Sequence, residues 1–254
     1  MGVRSLVAGA GLLALTLVPL GQVVLVVGIV GGVLAAVVMA IALKTADRGA
    51  VRLAAITLLL ALVGSIGLPF GIWFAVAGIW LWGRAVPEIA PARGWLPAGT
   101  SSPMLWWLTA AIVLIAGFGL TIWSQNVADP GQGTTGQLIE AARAAPAWAV
   151  ALFVVVFVPV NAVTEEVAYR GIAFESATTF LPAIPAIVAQ AVAFGTLHVA
   201  GFPSGLAGVG LTFGYGVVIG VMRQVSGGLR FPVLAHMAAD ATIAVLVIVL
   251  LLPG

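Results

Sequence analysis

Two histidines occur in this 254-residue chain, and both lie in apolar segments that also carry the partners needed for acid–base chemistry. His198 closes Phe194-Gly-Thr-Leu-His198, His236 opens His236-Met-Ala-Ala-Asp240, and upstream runs Glu165-Glu166-Val-Ala-Tyr169-Arg170. An ionisable group in a bilayer costs several kcal/mol (on the order of 3 at a helix centre) unless it is paired or solvated, so such groups are kept where they serve a purpose. A carboxylate and two imidazoles brought together from three helices could activate a water and stabilise an oxyanion. Glu165, His198 and His236 could equally hold a zinc ion, whose catalytic sites combine three protein ligands with a water.

Spacing separates the roles of the acidic residues. Glu165 and Glu166 are neighbours on a helix, so their side chains diverge by about 100° and cannot serve one point equally. Glu166 and Arg170 stand at i, i+4, the spacing of a helical ion pair, which would support Glu166 in an apolar setting. Glu165 has only the neutral Tyr169 at that spacing, which leaves it free to act as an acid or base. His236 and Asp240 are also four apart and share a helix face.

The elements that must position these groups are membrane helices. Hydrophobic residues make up 62% of the chain and charged residues 7%, against roughly a quarter charged in soluble domains. The mean hydropathy is +1.22. Such a chain is an all-α, polytopic transmembrane helix bundle whose lipid partner is the bilayer itself. Cysteine is absent, which excludes disulfides and thiolate metal sites. A net charge of +2 on this background marks topology and gives no sign of a nucleic-acid partner. A bilayer core needs about 20 helical residues. On that scale the run Ser5–Leu43 divides at Pro19-Leu-Gly-Gln22, and Leu53–Trp82 divides at Gly67-Leu-Pro69-Phe-Gly71 into a hairpin, or stays one kinked helix. Met104–Trp123, Pro146 to about Ala177, Ile184–His198, Leu206–Met222 and Val233–Leu252 complete about nine spans, or eight with the kinked alternative. With the amino terminus inside and the carboxyl terminus outside, nine spans put every basic residue except Arg143 on the inner face. The Arg-heavy, Lys-poor, Ala- and Gly-rich composition fits a prokaryotic cytoplasmic membrane.

Depth can be counted too. A turn near Phe180–Pro182 makes the flanking helices antiparallel and sets Glu165 and His198 both about 20–25 Å from it. His236 then sits shallower by counting alone, and only tilt or a recessed last helix would bring it level. Elsewhere, Asn161 and Gln190 read as hydrogen bonds between helices. Gly208, Gly210, Gly214, Gly216 and Gly220 read as close helix packing, and Trp106, Trp107, Trp123 and Trp148 as an interfacial belt.

Glu-Glu-x-x-x-Arg, then Phe-x-x-x-His, then His-x-x-x-Asp, in that order on successive apolar segments, resembles the CPBP family. That family holds CAAX-type prenyl-protein endopeptidases and bacteriocin-processing or bacteriocin-immunity membrane proteases. The resemblance covers residues 104–254, a catalytic helix bundle; residues 1–103 would be accessory transmembrane helices. It implies an intramembrane endopeptidase acting on a peptide or protein substrate. By motif position, Glu165 would be the catalytic glutamate, Glu166 its supporting partner, and His198 the group that helps Glu165 activate water. His236 and Asp240 would form the oxyanion site, with Arg170 and Phe194 in support. Position 240 is Asn in the eukaryotic prenyl-protein members, and an ionised Asp accepts but cannot donate. Asp240 is therefore protonated, or orients His236, or belongs to a metal site; the cofactor reading stays between none and zinc. Two other functions share the motifs: a non-catalytic scaffold or immunity protein of the same family, and a proton-coupled transporter using the same groups as a relay. No internal repeat supports the transporter.

Overall fold

The computed structural model describes residues 2–63, 70–86, 89–90, 94–126 and 133–251, and among them every regular element is helical. Four helices occupy the first part of the chain: α1 (Val3–Leu20), α2 (Leu25–Thr45), α3 (Arg48–Val63) and α4 (Phe70–Ala85). α5 (Pro103–Asn126) and α6 (Gly133–Ala144) follow. α7 (Ala147–Glu166) runs without a break into a π-helical stretch, Val167–Ala173, and a last turn, α8 (Phe174–Ala177). α9 (Ala183–Leu197), α10 (Gly205–Ser226) and α11 (Arg230–Leu246) complete the bundle, and α11 ends in a second π-helical stretch, Val247–Leu251.

The stops follow local chemistry. Pro146 and Pro182 precede α7 and α9 with extended ψ angles, as residues without an N–H tend to do at helix starts. α10 ends at Gly227, whose φ of 67° suits a residue without Cβ. Pro159 lies inside α7, where it removes one bond of the helix ladder.

The protein is an integral membrane protein. Among the described residues, six helices are long and apolar enough to cross a bilayer: α1, α2, α5, the continuous helix 147–177, α10 and the stretch Arg230–Val249. α4 and α9 are apolar but shorter. α3 has 16 residues and opens with Arg48 and Arg52. Each of the nine apolar runs in the sequence thus contains a helix, while six of them reach spanning length. Residues 53–82 divide between α3 and α4, which pack on each other; the expected break at Gly67–Pro69 lies outside the described residues, as do Arg93 and Asp129–Gln132. The polar stretch after Trp123 holds α6, a helix of 12 residues that the hydropathy pattern gave no reason to expect.

One apolar core joins both parts of the chain. It contains Leu15, Leu53, Ile56, Ile72 and Ile79 from the first four helices together with Tyr169, Ile172, Phe194 and Leu229. A smaller cluster, centred on Leu105, Ile219, Met222 and Phe231, packs α5 against α10 and α11. The segment Pro97–Thr100 runs beneath the turn before α11: Leu229 N–H donates to the Pro97 carbonyl at 2.6 Å and Thr100 N–H to the Ser226 carbonyl at 2.8 Å. A side chain at Gly99 would run into the Ser226 carbonyl, so only glycine fits this crossing.

Several expectations about charge and packing are corrected. Arg52, Arg170 and Arg223 are buried within the bundle rather than exposed at its surface. Arg52 pairs with Glu175 at 3.2 Å, and Arg223 donates from Nε to the Arg170 carbonyl at 3.2 Å. Trp123 belongs to no exposed belt; it is 5% exposed and meets Phe202 edge-on at 4.8 Å. Trp106, Trp107 and Trp148 remain exposed. Gly216 and Gly220 do allow close packing, with Ala191 and Gln190 in the way of any side chain, but Gly210 and Gly214 face open space.

Candidate active site

Glu165 and Glu166 occupy the last two positions of α7, just before the helix widens into its π-helical stretch. Such wider turns recur at functional sites because they re-aim neighbouring side chains. The two glutamates diverge as their spacing requires. Glu165 lines a cavity of about 460 Å³, whereas Glu166 is fully buried behind that wall. α5, α7, α9, α10 and α11 all contribute to the cavity. Its polar wall is Asn161, Glu165, His198, Thr212, Tyr215, His236 and Asp240; every other residue lining it is apolar or glycine.

Glu166 organises the polar side from behind. Its Oε1 accepts from Arg170 NH1 at 2.9 Å and from His236 Nδ1 at 2.7 Å. The i, i+4 ion pair read from the sequence is therefore present, and α11 is tied to the same oxygen. With Nδ1–H given to a carboxylate, the ring of His236 is fixed in orientation. Its Nε2 then lies 3.6 Å from Glu165 Oε2 and 3.7 Å from Asp240 Oδ1. Asp240 in turn accepts from Asn161 Nδ2 at 3.2 Å. The depth gap expected for His236 is closed, since it touches both glutamates.

His198 enters from the C-terminal end of α9. Its Nδ1 is 3.1 Å from the Phe194 carbonyl, which can only accept, so Nδ1 carries the proton and Nε2 offers a lone pair in the neutral ring. Phe194 is the hub of the apolar side. Its ring meets Tyr169 at 5.3 Å, His198 at 4.9 Å and His236 at 5.9 Å, all edge-on. The Arg170 guanidinium lies over it at 4.1 Å, a cation–π contact on the cation that Glu166 also holds. Arg223 completes the support by gripping the Arg170 carbonyl within the π-helical stretch.

Glu165, His198, His236 and Asp240 thus line one cavity, and Glu166 holds His236 from behind it. Asn161 and Gln190 make the bonds between helices that their types suggest: Asn161 to Asp240, and Gln190 Nε2 to the Gly216 carbonyl at 3.0 Å. Sequence reasoning missed two contributors. Tyr215 lines the cavity with its ring 6.1 Å from that of His236 and its hydroxyl unbonded. Trp73, from α4, donates Nε1–H to Asn161 Oδ1 at 3.3 Å. No motif links either residue to the histidines, although Asn161 could be flagged one turn before Glu165 on the same helix face.

Among the described residues no three His, Asp or Glu are grouped so that they could hold a metal ion. Both histidine Nδ1 atoms are engaged, by Glu166 and by the Phe194 carbonyl, so any ligand role would fall to the two Nε2 atoms.

Comparison with known families finds a match over part of the chain. Residues 146–242 match the family of Rce1-like proteins, type II CAAX prenyl endopeptidases. This segment runs from the start of α7 to within α11 and contains all three motifs, in agreement with the CPBP/CAAX protease family resemblance of the sequence. No curated protein and no solved structure matches the chain.

Proposed function

We propose that this protein is an intramembrane endopeptidase in which Glu165 activates water for attack on a peptide bond. One observation carries the reading: Glu165, His198, His236 and Asp240, from three helices of the matched segment, face a single cavity with an otherwise apolar wall. At about 460 Å³ it has room for a stretch of substrate chain together with water, each water taking about 30 Å³.

The roles follow from donors and acceptors. A water between Glu165 and His198 meets two acceptors, the Glu165 carboxylate and His198 Nε2. Glu165 takes one proton as the oxygen attacks the scissile carbonyl, and later returns it to the leaving amine. His236 Nε2 donates to the oxyanion when it too carries a proton; that charge is met by Glu166 on Nδ1 and by Asp240 near Nε2. Asp240, already accepting from Asn161, orients His236 and is not the oxyanion donor. No step needs a metal. The scaffold reading requires none of this alignment, and the transporter reading gains no support from the family match.

Asp240→Asn tests this arrangement. The new amide keeps an acceptor for Asn161 but turns its NH2 towards His236 Nε2 and removes the charge that balances the protonated ring, so kcat should fall by about tenfold or more. Elemental analysis of the purified protein is run beside the assay. Near-stoichiometric zinc together with a dead Asn variant would defeat the metal-free mechanism.

An inner amino terminus is part of the same proposal, and cysteine labelling checks it. Ser226 is buried and hydrogen-bonded to Gly228, so a reporter belongs at the exposed Gln224 instead. With no native cysteine, Gln224→Cys should resist an impermeant thiol reagent applied to intact cells and Ala141→Cys should react. The opposite pattern would invert the topology.

A further inference from the structure

The family match begins at residue 146, yet one polar chain enters the site from well before it. Trp73 of α4 donates Nε1–H to Asn161 Oδ1 at 3.3 Å, Asn161 donates Nδ2–H to Asp240 Oδ2 at 3.2 Å, and Asp240 Oδ1 faces His236 Nε2 at 3.7 Å. An asparagine amide has two distinct ends, an acceptor oxygen and a donor nitrogen. If it turned over, its oxygen would face the Asp240 carboxylate and its NH2 would face the indole N–H; both contacts would be repulsive. The indole and the carboxylate together therefore hold Asn161 in one orientation, the indole from the α4 side. The same ring packs on Phe70 at 5.4 Å and on Phe157 at 6.0 Å, and Phe157 lines the cavity wall.

We infer that Trp73 is a positioning residue for the catalytic centre: through Asn161 it fixes the Asp240 carboxylate against His236, so that α4 completes a site whose reacting groups all lie on later helices. The inference rests on the proposed endopeptidase reading for its kinetic consequence, though not for the relay itself. It also gives the first four helices a part in the chemistry beyond their share of the common core.

Trp73→Phe is the informative substitution, because it keeps a ring between Phe70 and Phe157 and removes only the donor. With a peptide that the wild type cleaves in a Glu165-dependent manner, kcat should fall about tenfold, in the range that slight misplacement of reacting groups costs, with KM little changed. In an Asn161→Ala background the same substitution should have no further effect, since residues acting through one another are not additive. A merely structural ring would lower stability and act equally in both backgrounds; that additive result overturns the relay.

An activity-independent measurement runs in parallel. With 15N-labelled indoles, the Trp73 Nε1–H resonance is assigned by its disappearance in Trp73→Phe. It should move on Asn161→Ala, and also on Asp240→Ala, which does not touch the indole. A Trp73 resonance that ignores both substitutions overturns the relay whatever the activity shows. If the wild type shows no Glu165-dependent cleavage, the endopeptidase reading falls and the resonance alone decides the relay.

Discussion

Glu165→Gln should abolish peptide cleavage while leaving yield and melting temperature close to wild type. The two halves of this expectation have separate causes. The amide keeps the shape of the side chain but cannot take a proton from water, and loss of a general base costs about 10²–10⁴-fold. Stability survives because no hydrogen bond is lost: Glu165 Oε2 has no hydrogen-bond partner, and its nearest cation-forming neighbour, His236 Nε2, stands off at 3.6 Å. An inactive but intact variant should also hold substrate, so a crosslinked or co-purified peptide on Glu165→Gln would identify what the protein cuts. The assay is single-turnover cleavage by detergent-purified protein. Substantial activity in the Gln variant would remove Glu165 as the base. Equal peptide binding by wild type and variant, with cleavage by neither, would establish the scaffold reading instead.

The grouping of the candidate site residues was more legible in the sequence than the contacts between distant helices. Charged and polar residues are scarce in an apolar chain, so the groups that remain carry meaning: four of the five motif residues line one cavity, and Glu166 lies behind its wall. The i, i+4 rule gave the Glu166–Arg170 pair directly, because that contact stays within one helix. Contacts between distant helices were another matter. Nothing local tells Trp73 that it will meet Asn161, 88 residues later. Charge counting also gave no sign that Arg52 and Arg223 are buried, because an arginine with a carboxylate or carbonyl partner on another helix looks in sequence like an exposed one. Glycines posed the same difficulty: Gly216 faces a neighbouring helix while Gly214, half a turn away, faces the cavity. Periodicity names a helix face but not what lies across from it.

Glu166→Gln should behave differently from its neighbour, failing first in folding. Glu166 is fully buried, and one of its oxygens accepts from Arg170 at 2.9 Å and His236 at 2.7 Å. Removing its charge leaves the Arg170 guanidinium, itself fully buried, without a counter-ion, and breaking such a pair costs roughly 3–5 kcal/mol. Low yield and an early thermal transition should accompany the loss of activity, since His236 also loses its anchor. Two measurements separate these effects. Replacing both partners, Glu166→Met with Arg170→Met, removes the uncompensated charge and should restore much of the thermal stability, because well-packed apolar pairs often replace buried ion pairs at little cost. It should not restore cleavage, because His236 Nδ1 still lacks its carboxylate. If the double variant regains both stability and activity, Glu166 serves only the ion pair and its bond to His236 is incidental. If Glu166→Gln is stable but inactive while Glu165→Gln remains active, the two glutamates have exchanged roles, and Glu166 is the base.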